Sequence, residues 1–222
     1  MTKSVIALLK KDLLLEWRER HAISGIILYV VSTVFVCYLS IGIKSSKINP
    51  PTWNALLWII LLFASVNAVA KSFLQESKGR HLYIYTLVSP ISLIIAKTIY
   101  NSLLMIGLTL VALMFYSMVF DFPKEADVLM YLVATIMGSL SFATIFTMVS
   151  AIASKAGNGG MLMAILSFPV LLPLLMVSIK LSRHAIDGLA WSVSYKYLVI
   201  LVMLNFVVIA LATLLFSYLW KE

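Results

Sequence analysis

The sequence predicts an all-α integral membrane protein with six transmembrane helices behind an N-terminal amphipathic helix. About six apolar stretches are long enough to cross a bilayer, and no acidic residue lies near the middle of any of them. Hydrophobic residues make up 62% of the chain and charged residues only 12%, where a soluble domain has roughly 25% charged residues. No polar segment after the first span reaches the size of a soluble domain. We therefore expect one transmembrane domain over residues 1–222 and no soluble catalytic domain.

Residues 3–20 are expected to form the amphipathic helix, lying along the membrane before the first span. Val5, Leu9, Leu13 and Trp17 recur at every fourth position and therefore share one helix face. Lysine, arginine and glutamate dominate the other positions, which is typical of a helix at the membrane interface. The alternative is a basic flank that only sets the topology.

The six predicted spans follow the apolar runs and the polar turns between them. We expect them at about residues 22–43, 53–73, 91–120, 128–153, 161–181 and 195–220. Lys97 falls just inside the third span, and we expect its long side chain to reach the membrane interface.

The basic residues predict the orientation. With the N-terminus in the cytoplasm, eleven of the 17 lysine and arginine residues fall on the cytoplasmic side and six outside. This split favours both termini in the cytoplasm. The basic residues are scattered between the spans, so the formal net charge of +8 indicates lipid headgroups as partners and not nucleic acid.

The connection between the second and third spans is the strongest candidate for a functional segment. It combines charges with an apolar, aromatic run on the predicted cytoplasmic side, where such a run should be covered by lipid or by a protein partner. We interpret it as a short helix or elbow that presents a docking face. Glycine permits a turn and proline starts the next helix. The residues of this face are Glu76, Gly79, Leu82, Tyr83, Tyr85 and Pro90. The alternative is an extension of a neighbouring span.

The fifth span carries two prolines at helical spacing. Pro169 and Pro173 remove two backbone donors and predict a kink on one face. Gly159 and Gly160 precede them in a glycine-rich turn. We expect these four positions to shape the helix, either as a packing kink or as a broken helix of a transporter.

The sequence offers no catalytic, cofactor or metal site. The glycine-rich turn lacks the lysine-serine or lysine-threonine pair of a phosphate loop, so this chain is not expected to bind ATP. His21, His81 and His184 are far apart and lack metal-ligand spacing. No serine, histidine and carboxylate set suggests nucleophilic catalysis. No mid-span carboxylate can carry protons or sodium, so any transport should draw its energy from a partner.

Three stretches together resemble the CcmB family, the membrane subunit of the cytochrome c maturation ABC transporter, also called heme exporter protein B. The first is KDLLLEWRER, before the first span. The second, SFLQESKGRHLYIYTLVSPISLIIAKTIYN, has the family's acidic residue, glycine, proline and alanine-lysine pair at Glu76, Gly79, Pro90, Ala96 and Lys97. The third, GGMLMAILSFPVLLPLL, has its glycine pair and its two prolines four apart. The length and the six-span plan agree over essentially the whole chain.

The resemblance implies a permease of the cell inner membrane and not an enzyme. Two copies would pair with two CcmA-like ATPase subunits, and CcmC-like, CcmD-like and CcmE-like membrane partners would join them. ATP hydrolysis in the partner would drive heme export or the release of a heme-loaded chaperone, so heme is cargo and ATP binds elsewhere. Two other functions stay open. One is an ABC-2-type permease for another lipid, drug or glycan, and the other is a non-transporting membrane scaffold.

Overall fold

The computed structural model describes residues 2–18, 21–41, 48–69, 73, 88–154 and 159–219. Over these residues the chain forms seven α-helices and no strand, so the all-α class is confirmed. The helices are α1 (Thr2–Arg18), α2 (His21–Ile41), α3 (Pro50–Val69), α4 (Pro90–Val119), α5 (Val128–Ala153), α6 (Gly159–Ile186) and α7 (Trp191–Leu219).

The helices α3 to α7 are each long and apolar enough to cross a membrane. The helix α2 contains a shorter apolar stretch, Ser24–Ser40. The helix α5 covers the same residues as the predicted span at 128–153, and α6 extends to Ile186, beyond the predicted span at 161–181; the spans themselves stay predictions. The last turn of α6 is held by a backbone hydrogen bond, 2.8 Å long, from the Asp127 N–H to the Ala185 carbonyl.

Local capping explains where α4 and α5 begin. The Ser89 hydroxyl caps α4 and accepts from the Ser92 N–H at 3.4 Å, while Pro90 occupies the first turn, where no amide donor is needed. The Asp127 carboxylate caps α5 and accepts from the Met130 N–H at 3.0 Å. Both helices therefore start where the sequence supplies an acceptor for the free amides of the first turn.

The helices α3 to α7 pack as neighbours around α5, which contacts α3, α4, α6 and α7. Within the protein, 61% of the apolar stretch of α5 is buried, compared with 17% of that of α7. The ends of α3 and α5 meet the start of α4 at one end of the bundle, which we call the link end. Residues 70–89, which join α3 to α4, are called the link. The opposite end, where α3 and α5 begin and α4 and α6 finish, is called the aromatic end.

The side of α1 that packs on the protein can be compared with the apolar face expected from spacing. That face comprised Val5, Leu9, Leu13 and Trp17. Among the described side chains of α1, Leu8 and Asp12 are buried, Val5 and Leu9 are half-buried and Leu13 is 51% exposed. The side chain of Trp17 lies outside the described residues. The helix is turned so that the Asp12 carboxylate faces the protein, where it pairs with Lys97, as described below.

The helix α6 continues through both of its prolines. Pro169 and Pro173 are exposed, whereas Ser167, Leu171 and Leu174 on the same helix are buried. The proline pair therefore lies on the face that points away from the core. The predicted kink itself stays a prediction.

Candidate functional site

The predicted docking segment lies almost wholly outside the described residues. This applies to Glu76, Gly79, Leu82, Tyr83 and Tyr85. Pro90 is described, in the first turn of α4. The predicted conformational residues Gly159, Gly160, Pro169 and Pro173 all lie on α6. The helices α4 and α6 both pack on α5, and no described contact joins Pro90 to the proline pair.

A buried ion pair joins α1 to α4 at the link end. The Lys97 Nζ lies 3.3 Å from an Asp12 carboxylate oxygen, and both side chains are only 7% exposed. The Lys11 Nζ lies 3.5 Å from the other Asp12 oxygen, but its side chain is 33% exposed. The structure gives Lys97 a partner within the protein, and its depth relative to the membrane interface stays a prediction. Because a carboxylate of α1 lies beside it, Lys97 is paired inside the protein.

The same lysine also contacts the start of the link. The Lys97 Nζ lies 5.9 Å from the centre of the Phe73 ring, within the range of a cation–π interaction. The Phe73 N–H donates to the Ser150 hydroxyl of α5 at 3.2 Å. The Phe73 ring packs on Phe216 of α7 with 5.5 Å between ring centres. Phe73 is fully buried, so this residue of the link is held against α4, α5 and α7 at once.

A line of four hydroxyl residues on α5 supplies hydrogen bonds to the surrounding segments. They stand three residues apart and are Ser141, Thr144, Thr147 and Ser150. The Asn101 side-chain amide of α4 donates to the Thr147 hydroxyl at 2.8 Å. The Asn205 amide of α7 donates to the Ser141 hydroxyl at 2.7 Å, and its carbonyl accepts from the Thr144 hydroxyl at 3.1 Å. Three residues turn an α-helix by about 300°, which is about 60° short of a full turn. Successive hydroxyls therefore face α7, then α4, then the link.

The aromatic end is closed by large rings and neutral hydrogen bonds. The Trp53 ring of α3 packs edge to face on Tyr116, Phe122 and Tyr131, with ring centres 4.9 to 5.3 Å apart. The Tyr116 hydroxyl donates to the Trp53 carbonyl at 2.9 Å, and the Tyr131 hydroxyl donates to the Asn54 side-chain carbonyl at 3.0 Å. The Trp53 indole N–H is buried without a hydrogen-bond partner. Ring packing therefore fixes this side chain.

A second tryptophan of α3 fills the space that a glycine of α5 leaves. The Trp58 indole N–H donates to the Ser182 hydroxyl of α6 at 2.8 Å. A methyl group at Gly138 would collide with the Trp58 ring and would lie 3.0 Å from the Ser178 hydroxyl oxygen. Gly138 therefore permits the close approach of α3, α5 and α6.

The two described turns of the aromatic end are tied to each other. The Trp191 indole N–H donates to an Asp127 carboxylate oxygen at 2.9 Å. Gly188 has a φ of +64°, a conformation that side chains disfavour. A Cβ on it would lie 2.8 Å from the Glu125 carbonyl oxygen. The His184 Nδ1 lies 3.2 Å from the Ser194 hydroxyl, and its ring packs on Tyr197. Among the described residues, no group of three or more histidine, cysteine or acidic side chains is placed to hold a metal ion.

Comparison with known protein families decides the class of this membrane protein. The family model described as CcmB protein matches residues 3–218, essentially the whole chain. The chain belongs to the CcmB family. Members of this family are heme exporter permeases of an ABC system for cytochrome c maturation, and the apolar helices fit a membrane protein of this kind. As a permease subunit, a CcmB chain is not itself an enzyme. Comparisons with curated proteins and with solved structures give no match.

Sequence reasoning missed the residues that organise the link end of this CcmB chain. The resemblance singled out Lys97, but nothing pointed to Asp12, 85 positions earlier, as its partner. Asn101 and Asn205 were also missed, although two amides inside long apolar runs are a visible signal, because polar side chains within a membrane mostly bond to a neighbouring helix. The three-residue spacing of the hydroxyls on α5 was visible too, but their partners were not.

Proposed function

We propose that this chain is the transmembrane subunit of an ABC-type complex for c-type cytochrome biogenesis, and that it couples ATP hydrolysis in a partner subunit to heme export or to the release of a heme-loaded chaperone. The family match over residues 3–218 carries this proposal. The observed fold supports it, since five long apolar helices supply a membrane body. No carboxylate lies mid-span in α3 to α7, so the energy must come from a partner.

The chain crosses the membrane six times in this proposal, with α2 as the first span. The helix α2 has 21 residues, or about 31 Å at 1.5 Å per residue, which matches the hydrocarbon core. Ile26, Val30 and Val34 are buried against the protein, while Leu28 and Phe35 are exposed, as a lipid-facing side requires. The lysine and arginine distribution supports both termini in the cytoplasm and hence a position in the inner membrane.

The helix α1 lies at the cytoplasmic membrane surface. One side of it packs on α4, while Leu13 and Leu14 are 51% and 70% exposed and Lys3 and Lys10 are also exposed. Exposed leucines beside lysines suit the boundary between acyl chains and anionic headgroups. We assign α1 to this boundary.

The link is the docking segment for the ATPase. Its residues Glu76 to Thr86 carry the predicted docking face, and Pro90 starts α4 directly behind it. Phe73, at the beginning of the link, is anchored on α4, α5 and α7. A displacement of the link by the ATPase would therefore reach three helices. CcmC-like, CcmD-like and CcmE-like membrane partners and a second copy of the chain complete the complex.

Affinity purification in mild detergent, followed by identification of the partners and a heme spectrum, tests the assembly. An ATPase subunit and heme-handling partners should co-purify with the chain. Cells that lack the chain should make and secrete apo-cytochromes c but give no heme-stained c-type cytochromes. Normal heme staining in such cells would contradict the proposed function.

Cysteines placed at Tyr83 and Tyr85 test the docking segment. Both should crosslink to the ATPase, while a cysteine at Leu214, which is 70% exposed on α7, should not. Labelling of positions 83 and 85 by lipid-soluble probes alone, with no crosslink to the ATPase, would show that the link does not dock the partner.

A further inference from the structure

We propose that Asp12 and Lys97 are positioning residues that fasten α1 and the start of the link to the same point of α4, so that a displacement of the link also moves α1. This inference rests on the proposed function and adds a moving element to it. The predicted docking segment alone gives α1 no part in the coupling.

The position of Lys97 is the first argument. It lies seven residues after Pro90, or about 10 Å along α4. It contacts Asp12 of α1 at 3.3 Å and the Phe73 ring of the link within 5.9 Å. One side chain therefore connects α1, α4 and the link.

Burial is the second argument. Both members of the pair are 7% exposed, and removal of one member of a buried pair is strongly destabilising. The neighbouring lysine differs, because Lys11 is a third exposed although it contacts the same carboxylate. The buried contact with Lys97, and not the surface contact with Lys11, should decide where Asp12 lies.

The small apolar footprint of α1 is the third argument. Among its described side chains, Leu8 is the buried hydrophobic residue, and Val5, Leu9 and Leu15 are only partly covered. So little apolar burial holds a helix weakly. The ion pair is therefore the contact that fixes α1 on α4, and its loss should let α1 lift from the bundle.

Cysteine labelling of the full chain in its membrane measures how firmly α1 packs on the bundle. Cys37 is the single cysteine and is first replaced by serine. A cysteine is then placed at Leu8, which is 7% exposed, or as a control at Lys10, which is exposed. With the native pair, a soluble maleimide should label position 10 rapidly and position 8 slowly. Asp12→Asn or Lys97→Met should raise the rate at position 8 at least tenfold and leave position 10 unchanged, and Lys11→Gln should raise neither.

A double-mutant cycle tests whether Asp12 and Lys97 act as a pair or whether their two substitutions have independent effects on the labelling rate. The variant with both Asp12→Asn and Lys97→Met buries no charge, so its labelling rate at position 8 should lie well below the product of the two single effects. Effects that simply multiply, or single variants that label like the native chain, would overturn the proposal. Where neither single variant accumulates, the double variant decides. It should assemble and label at position 8 faster than the native chain, and native-like labelling would overturn the ion pair as the anchor.

Heme staining of c-type cytochromes and the ATPase activity of the complex test the coupling role. At equal amounts of assembled complex, the single variants should reduce holo-cytochrome c at least fivefold while basal ATP hydrolysis continues. Normal cytochrome formation with a freely labelled position 8 would show that the pair only anchors α1, and would overturn its role in coupling. Failure of the proposed function would give different results, namely that no ATPase co-purifies with the chain or that cells without the chain show normal heme staining. The labelling rate at position 8 depends on neither result.

Discussion

The two ends of the bundle are held together by different chemistry. At the aromatic end, the Trp53 ring, two tyrosine hydroxyls and the Asn54 amide close α3, α4 and α5 on one another. At the link end, a buried ion pair and short hydroxyl and amide side chains connect the helices, beside the ring contact of Phe73 with Phe216. The described ion pair Arg183–Asp187 at the aromatic end differs from it, because both of its side chains are exposed.

This difference indicates that the aromatic end is a fixed end and that the link end is a working end, which rearranges during function. Large interlocking rings resist displacement, because a close-packed interior has no room for partial shifts. Hydrogen bonds between side chains in a membrane protein average only about 0.6 kcal/mol each, so a set of them can be exchanged at small cost. We expect the aromatic end to act as the pivot and the link end to rearrange when the link is pulled. Each variant below tests that division.

The largest effect is expected for Trp53→Ala at the aromatic end. Removal of the ring opens a cavity among Tyr116, Phe122 and Tyr131, which should destabilise the protein by about 3–5 kcal/mol. Thermal unfolding in detergent would measure the loss. The matched control is Trp53→Phe, which keeps a ring and removes the unpartnered indole N–H, and it should be far milder. Equal losses for both variants would contradict the role of ring packing.

Gly138→Ala should follow, with a cost of about 1–3 kcal/mol from overpacking. The added methyl group collides with the Trp58 ring, so α3 and α5 must separate. The control is Gly107→Ala, since nothing lies within 4 Å of a Cβ there. That variant should match or exceed the native melting temperature, because alanine is the better helix former. Equal melting temperatures for the two alanine variants would show that the three helices do not need this close approach.

Asn101→Leu at the link end and Tyr131→Phe at the aromatic end compare the ends directly. Each variant removes one buried hydrogen bond, to Thr147 and to Asn54 respectively, and should cost about 1 kcal/mol or less. Holo-cytochrome c formation should fall several-fold in Asn101→Leu and stay near normal in Tyr131→Phe at equal protein levels. A reversed order would place the working end at the tyrosines.

The smallest effect is expected for His184→Ala. The side chain bonds to Ser194 and packs on Tyr197, and a lone histidine without a second ligand is a poor heme site. Heme staining of c-type cytochromes should stay near the native level. If staining disappears while the protein level holds, this chain handles heme directly at the aromatic end.

The sequence predicted the helices well and the contacts between them poorly. Apolar runs and cap residues such as Asp127 decide where helices lie, and both are local. The pairing of Asp12 with Lys97 depends on how α1 rotates on α4, which no local pattern encodes. The four-residue spacing on α1 indicated that Val5, Leu9, Leu13 and Trp17 share a face, whereas the side that packs on the protein carries Asp12, which pairs with Lys97. The spacing rule counts only apolar residues, so it could not foresee this.

The predicted docking residues had a different outcome. Glu76, Gly79, Leu82, Tyr83 and Tyr85 lie outside the described residues, and their role stays a prediction. Pro90 lies in the first turn of a helix, where proline is favoured because no backbone N–H is needed. The sequence thus predicted the start of α4 correctly, and crosslinking must test the face before it.

The hydroxyl line of α5 has a mechanical consequence. These hydroxyls form a spiral around α5, which we call the thread; its members are Ser141, Thr144, Thr147 and Ser150. Each member lies about 4.5 Å along the axis and about 60° around it from the one before. The bonds of the thread oppose a pure rotation of α5 about its axis and a pure translation along it, since either motion separates every donor from its acceptor. A screw motion by one step of the thread brings each hydroxyl to the place of its neighbour. Only such a screw motion would exchange the bonds one for one, and the aromatic end opposes it, because the Tyr131 ring of α5 packs on Trp53 there.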